Sequence, residues 1–343
     1  MDNSVAWRWR GFSRQVNPTR WRRLALALLC SGATALLALA VGTLPLSPWA
    51  VLQALAGQGD PGQVFIVSQL RLPRLLLAGL IGAALAVSGL VLQAIIRNPL
   101  ASPELLGLSS GASASAVFYL GTLAGSWGLA YLPAAAMLGA GAAALAIYAL
   151  AFAQGVSPLR LVLMGVGVSA MLGAATTFML VFSPLATTLS AYVWLAGSVY
   201  GADWAAVRGL AGWLLALWLV LALLARQVRV QQLDGALALG LGAPLQRLRA
   251  ALLAVSVALA GAAIAAGGAM AFVGLIAPHI ARRLLPAGFA GQALMAGLVG
   301  ANLVMLADLA GRTLFMPLDL PAGIFVAVFG APYFLYLLIK QRA

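Results

Sequence analysis

Apolar stretches of about twenty residues, divided by short joints bearing arginine, glycine or proline, follow one another from residue 24 to residue 340. At about 1.5 Å per residue, each stretch matches the roughly 30 Å hydrocarbon core of a bilayer. Inside that core a chain must satisfy its own backbone hydrogen bonds, as helical spans do. Spans fall near 24–44, 75–96, 104–123, 131–153, 159–182, 207–225, 290–311 and 321–340. The region 248–285 would reach about 57 Å as one helix, nearly twice the core. Gly267-Gly268 breaks it in two, so the expected fold is an all-α polytopic membrane protein of ten transmembrane helices.

Charge gives the orientation. With ten spans and a cytoplasmic N-terminus, only Arg71, Arg74, Arg208 and Arg312 of the twenty basic residues lie outside. The other sixteen, among them Arg226, Arg229, Arg247, Arg249, Arg282, Arg283 and Lys340, lie inside, as the positive-inside rule favours. Nine spans would strand the basic C-terminus outside, so both termini are expected in the cytoplasm. The net charge of +13 is therefore a topology signal. No aromatic-basic cluster on a soluble domain points to nucleic acid.

Residues 1–23 form a basic N-terminal arm, and 24–343 a single ten-span domain. The arm and Ala38-Leu39-Ala40 imitate a signal peptide, but the run 24–44 is too long for one and reads as a retained first span. Two connections exceed simple turns. Residues 183–206 lie outside with enough apolar residues for a short interfacial helix. Residues 226–247 lie inside, where LDGALALGLGAP suits a short helix between Asp234 and Gly242.

Missing residue types exclude whole classes of function. The acids are Asp2, Asp60, Glu104, Asp203, Asp234, Asp308 and Asp319, and only Asp308 lies within a span. It precedes Arg312 by four residues, so helix spacing pairs them. That leaves no carboxylate set for an ion-coupled carrier. The sole lysine, Lys340, precedes Gln341, so no phosphate-cradling GxxxxGK[ST] loop exists. One histidine, His279, and one cysteine, Cys30, build no multi-ligand metal site, and His279 reads as a hydrogen-bonded helix-end residue. No proteolytic constellation is present. What remains is either a passive pore or one part of a complex whose engine is another chain.

The densest local signal is RNPLASPELLGLSSGAS, Arg97 to Ser113. Asn98-Pro99 ends the preceding helix, because proline pushes its neighbour out of helical space. Ser102 suits a cap, Pro103 a first turn, and Glu104 the positive end of that helix. Gly107, Ser109, Ser110, Gly111 and Ala112 make the next helix small-sided for close packing.

Three long motifs carry a resemblance: RLPRLLLAGLIGAALAVSGLVLQAIIRNPLASPELLGLSSGA, GGAMAFVGLIAPHIARRL and ADLAGRTLFMPLDLPAGIFVAVFGAPYFLYLLIK. Over roughly 65–340 the chain resembles the iron-chelate family of ABC importer permeases, which handle ferric siderophores, haem and cobalamin. The resemblance implies a cobalamin-importer-permease-like fold, a permease dimer around a central pathway. Its partners would be a second permease subunit, two cytoplasmic ATPase subunits and a periplasmic binding protein. The chain itself would be no enzyme and would bind no cofactor or metal, with ATP and magnesium on the partner ATPases. The function implied is alternating-access import of an iron(III)-siderophore-type chelate across the bacterial inner membrane. Haem is the next substrate, cobalamin a more distant one, and a passive channel the rival of another class.

Site roles follow from the same resemblance. Arg71 and Arg74 of R-L-P-R, and Arg312 closing A-D-x-x-x-R, match arginines that dock glutamates of the binding protein. By themselves they better suit snorkelling or a local pair such as Asp308–Arg312, and it is the resemblance that favours docking. The segment Leu233, Asp234, Gly235, Ala236, Leu237, Ala238, Leu239, Gly240 matches the coupling segment held in a cleft of the ATPase. It lacks the charged residue that often precedes the family's L-G. Tyr192, Trp194, Tyr200 and Trp204 are outer-gate candidates, with an interfacial aromatic belt as the competing reading. Asn98, Pro99, Pro103, Gly107, Pro278, His279 and Asp308 belong to the structural signature.

Overall fold

The computed structural model describes residues 5–9, 12–16, 18–152, 157–231, 245–286 and 288–342. Twelve helices carry the fold among them. They are α1 (Pro18–Ala40), α2 (Pro48–Leu55), α3 (Pro61–Ile96), α4 (Leu108–Thr122), α5 (Leu132–Ala151) and α6 (Pro158–Val181). The others are α7 (Leu185–Leu195), α8 (Trp204–Gln231), α9 (Leu245–Gly267), α10 (Val273–Leu284), α11 (Phe289–Thr313) and α12 (Ala322–Arg342). Eight are long and apolar enough to cross a membrane. With the shorter α4 and α10 they make the ten-helix arrangement. In the N-terminal arm, Val5–Trp9 and Phe12–Val16 pair as a short antiparallel hairpin, which the sequence reading did not foresee. The first helix starts at Pro18, inside the arm.

Helix α3 lies at the centre, packed along α8, α9, α10 and α11. Lipid is as apolar as a leucine side chain, so these helices hold together by close contact rather than by a hydrophobic drive. Glycines make the contact close. A Cβ added at Gly82 would lie 2.1 Å from the Gly300 carbonyl oxygen on α11, and one at Gly89 would lie 1.8 Å from that of Gly274 on α10. A second seam joins α4 to α5 through Gly111 and Gly139. Helix α6 turns Leu159, Leu163, Val166, Met171 and Phe178 outward, as a helix facing lipid or another subunit does.

Two departures from the expected boundaries bear on the site. The second span was placed from residue 75, yet α3 begins at Pro61. The Asp60 carboxylate accepts a hydrogen bond from the Gln63 N–H at 3.0 Å, and Pro61 occupies the first turn. This Asp-Pro start signal was legible. It carries Arg71 into the helix, on a π-helical turn spanning Ile66–Arg71.

The second departure is that α4 and α10 are too short to span alone, at roughly 22 Å and 18 Å. A 3-10 turn over Pro103–Leu106 precedes α4 and an irregular stretch after Gly268 precedes α10, backbone that a membrane tolerates only inside protein. Ala101, Ser102, Pro103 and Leu106 are accordingly buried. The chain breaks after α9 at Gly268, whose φ of +74° suits the residue without a Cβ. Gly267-Gly268 was the expected break.

Candidate functional site

The three arginines matched to docking, out of the four expected to face outward, meet at one end of the bundle. Arg71 donates from Nη1 to the Leu39 carbonyl at 2.6 Å and from Nη2 to the Leu44 carbonyl at 2.5 Å. It thereby satisfies carbonyls left open where α1 ends. Arg312 donates to the Ala38 carbonyl in the same stretch. Arg74 projects from α3 between two carboxylates. Its Nε and Nη2 reach Asp308 Oδ1 at 2.9 and 2.8 Å, and its Nη1 and Nη2 reach Asp319 at 2.6 and 2.8 Å.

The expected Asp308–Arg312 pair exists, but it is the looser one. Arg312 Nε stands 3.7 Å from Asp308 Oδ2, against 2.8 Å for Arg74. Helix spacing alone favoured the i,i+4 partner, whereas the α3–α11 seam brings a better-aligned guanidinium across 234 residues. Three cations and two anions share this small volume, in the mutual arrangement that partly buried charges require. Asp319 is the residue the sequence reading passed over. It was legible as one of seven acids, lying seven residues beyond Arg312.

The gate candidates separate into two groups. Trp194 and Tyr200 line a cavity of about 810 Å³ beside the arginine cluster, together with Ser190, Ser198, Asp203 and Gly267. Tyr192 is not among the lining residues and is 57% exposed. Trp204 donates its indole N–H to the Ser68 carbonyl of α3 at 3.0 Å, which ties the start of α8 to the central helix. Tyr200 also lies under Arg74, with the guanidinium carbon 5.9 Å from its ring centre, within cation–π range. The arginine cluster and the cavity wall are thus in direct contact.

Toward the opposite end, the Arg97–Ser113 block holds the two interrupted helices together. Asn98 Oδ1 accepts from the Leu100 N–H at 2.9 Å, and Gly107 takes a φ of +64° at the start of α4. Ser102 and Glu104 do not cap their own turn. The Ser102 hydroxyl donates to Glu104 Oε2 at 3.1 Å, and Glu104 Oε1 accepts the Phe272 N–H at 3.0 Å. The carboxylate therefore serves the N-terminus of α10, where the backbone donors of a second helix converge. Pro278 lies buried within α10. His279 follows it in mid-helix rather than at an end, edge-on to Tyr333, with its Nε2 buried and lacking a hydrogen-bond partner.

Replacing Glu104 with alanine leaves the Phe272 N–H without its carboxylate and is expected to cost about 1–3 kcal/mol. Glu104→Gln retains an acceptor and is expected to lose less than half of that. Apparent unfolding temperatures of the detergent-purified protein measure the difference, and equal losses for both variants would refute the capping role.

Residues 232–244, which contain the expected coupling segment Leu233–Gly240, lie outside the described residues. Among the described residues no three His, Cys, Asp or Glu side chains gather as a metal site.

The pattern of the FecCD transport family matches residues 17–340. The achromobactin transport system permease protein CbrC of Dickeya dadantii (strain 3937) is 68% identical, over 100% of this chain and 98% of that protein. The ferric enterobactin transport system permease protein FepG of Escherichia coli (strain K12) is 38% identical over 88% and 90% of the two chains. Among solved structures, a metal-chelate type ABC transporter in an inward-facing conformation superposes with a TM-score of 0.83 at 30% identity. The match covers 93% of this chain and 99% of that one.

Proposed function

Because the chain belongs to the FecCD transport family, we propose that it forms the membrane pathway of an ATP-driven importer for an iron(III)-siderophore chelate of the achromobactin type. The observation that carries this reading is the 68% identity, over its whole length, to a permease named for achromobactin transport. Permeases named for ferric enterobactin and iron(3+)-hydroxamate import stand at 38% and 37% identity. The chain is a multi-pass transporter subunit rather than an enzyme, and ATP with magnesium binds on the partner ATPases.

The fold supports a paired permease. A helix fills the middle of the subunit, so a passage wide enough for a chelate has its natural place between two subunits. Either a second copy or a similar chain supplies the other wall. Residues 1–23 and the loop 226–247 face the cytoplasm on this reading, and 233–240 couples to the ATPase. The Arg71–Arg74–Arg312 cluster faces the periplasm, where the binding protein delivers substrate. Its three guanidiniums outnumber its two carboxylates, which suits an acidic partner.

The test is reconstitution in liposomes with the cognate ATPase and binding protein. Uptake of ferric achromobactin is expected to require both partners and ATP, with ferric citrate and haem not competing. Uptake by this chain alone would establish the passive-channel alternative, and competition by haem would reassign the substrate.

A further inference from the structure

The arginine cluster poses a problem for docking, on which the following inference rests. Arg74 already has two carboxylates on its guanidinium, so a carboxylate from a partner gains it only by displacing one of them. The two occupants are not equivalent. Asp308, on α11, is 6% exposed in its side chain and holds the Nε–Nη2 edge. Asp319, in the 314–321 connection between α11 and α12, is 28% exposed and holds the Nη1–Nη2 edge at 2.6 and 2.8 Å. Solvent therefore reaches the edge that Asp319 occupies. A carboxylate arriving there reproduces the same two-pronged geometry bond for bond.

The neighbouring residues suit such an exchange. Leu314, Phe315, Met316 and Leu318 of the same connection are exposed, so the segment bearing Asp319 is lightly packed. The cluster also reaches the cavity wall through Arg74 over Tyr200. Any shift of the guanidinium toward an incoming acid changes its position over that ring.

We propose that Asp319 is a built-in competitor for Arg74: on docking, an acidic side chain of the periplasmic binding protein takes the Nη1–Nη2 edge from Asp319, and the displaced contact loosens Tyr200 at the cavity wall. Asp319 sets docking affinity without being a docking residue itself. It keeps the outer surface weakly attractive between deliveries, which favours release of the empty binding protein.

The experiment uses the full transporter in lipid nanodiscs and the binding protein loaded with ferric siderophore, with affinity measured by biolayer interferometry. Asp319→Asn removes the competing charge while Asp308 still holds Arg74, and is expected to tighten binding roughly tenfold. Asp319→Ser removes the same charge with a different side chain and must move affinity in the same direction. Arg74→Gln is expected to weaken binding by at least a comparable factor. If Arg74→Gln weakens binding but neither Asp319 variant tightens it, the exchange is wrong and docking survives. If Arg74→Gln leaves affinity unchanged, docking at this cluster falls, and the exchange with it.

Discussion

Alanine at position 89 is expected to prevent assembly of the folded protein. Its added Cβ would lie 1.8 Å from the Gly274 carbonyl oxygen and 2.5 Å from the carbonyl carbon. A carbon–oxygen contact relaxes at about 3.3 Å, so α3 and α10 would have to part by roughly 1.5 Å. No side chain can rotate away, because both partners are backbone. A gap of even 0.5–1 Å forfeits about a quarter to a half of each facing dispersion contact. Those contacts are what holds helices together in lipid. The cost should therefore exceed the roughly 1–3 kcal/mol of ordinary overpacking.

Gly141 on α5 provides the control, since nothing lies within 4 Å of its added Cβ. Gly141→Ala is expected to be neutral or to stabilise by about 0.5–1 kcal/mol through helix propensity. Size-exclusion profiles of detergent-extracted fluorescent fusions report the outcome. Monodisperse Gly89→Ala protein at wild-type yield would mean that the seam is looser than its geometry indicates.

Asp308→Ala ranks next. It strips the main counter-ion from Arg74 and Arg312 in a site where neither guanidinium can reach bulk water freely. Removing one partner of a buried pair typically costs about 3–5 kcal/mol, most of it the penalty of the charge left behind. If that account is right, Arg74→Met in the Asp308→Ala background should restore part of the loss. Asp319, 28% exposed, then turns to solvent. The double variant should be more stable than the sum of the singles by about 0.5–3 kcal/mol. Strict additivity in thermal unfolding would show that the ion pair does not couple these helices.

Much of the architecture could be read along the chain, because hydropathy and charge position are local quantities that sum independently of packing. Ten helices, the break at Gly267-Gly268 and the short helix within 183–206 all follow from runs of residues. So does the grouping of Arg71, Arg74 and Arg312 at one end, since span counting puts them there together. Helix starts were harder. The Asp60-Pro61 start signal was there to be read, but a hydropathy window centres on the greasiest stretch of a helix and so set the boundary at residue 75. Glu104 shows a further limit. Its neighbours indicate a cap, but only the packing of α3 against α10 shows that it caps Phe272, 168 residues away.

The sequence by itself determined a membrane-embedded helical chain and the family it belongs to. Tertiary structure decided which charge answers which. Asp308 has Arg312 one helical turn away, yet it binds Arg74 across the α3–α11 seam, and Asp319 joins from a connection 245 residues distant from Arg74. The reason is geometric. A guanidinium fork commits to carboxylates that lie in its plane at about 2.8 Å, and only the crossing of packed helices places them there. The same packing turned the arginine cluster into a network of three guanidiniums and two carboxylates in which Asp319 holds the Nη1–Nη2 edge of Arg74.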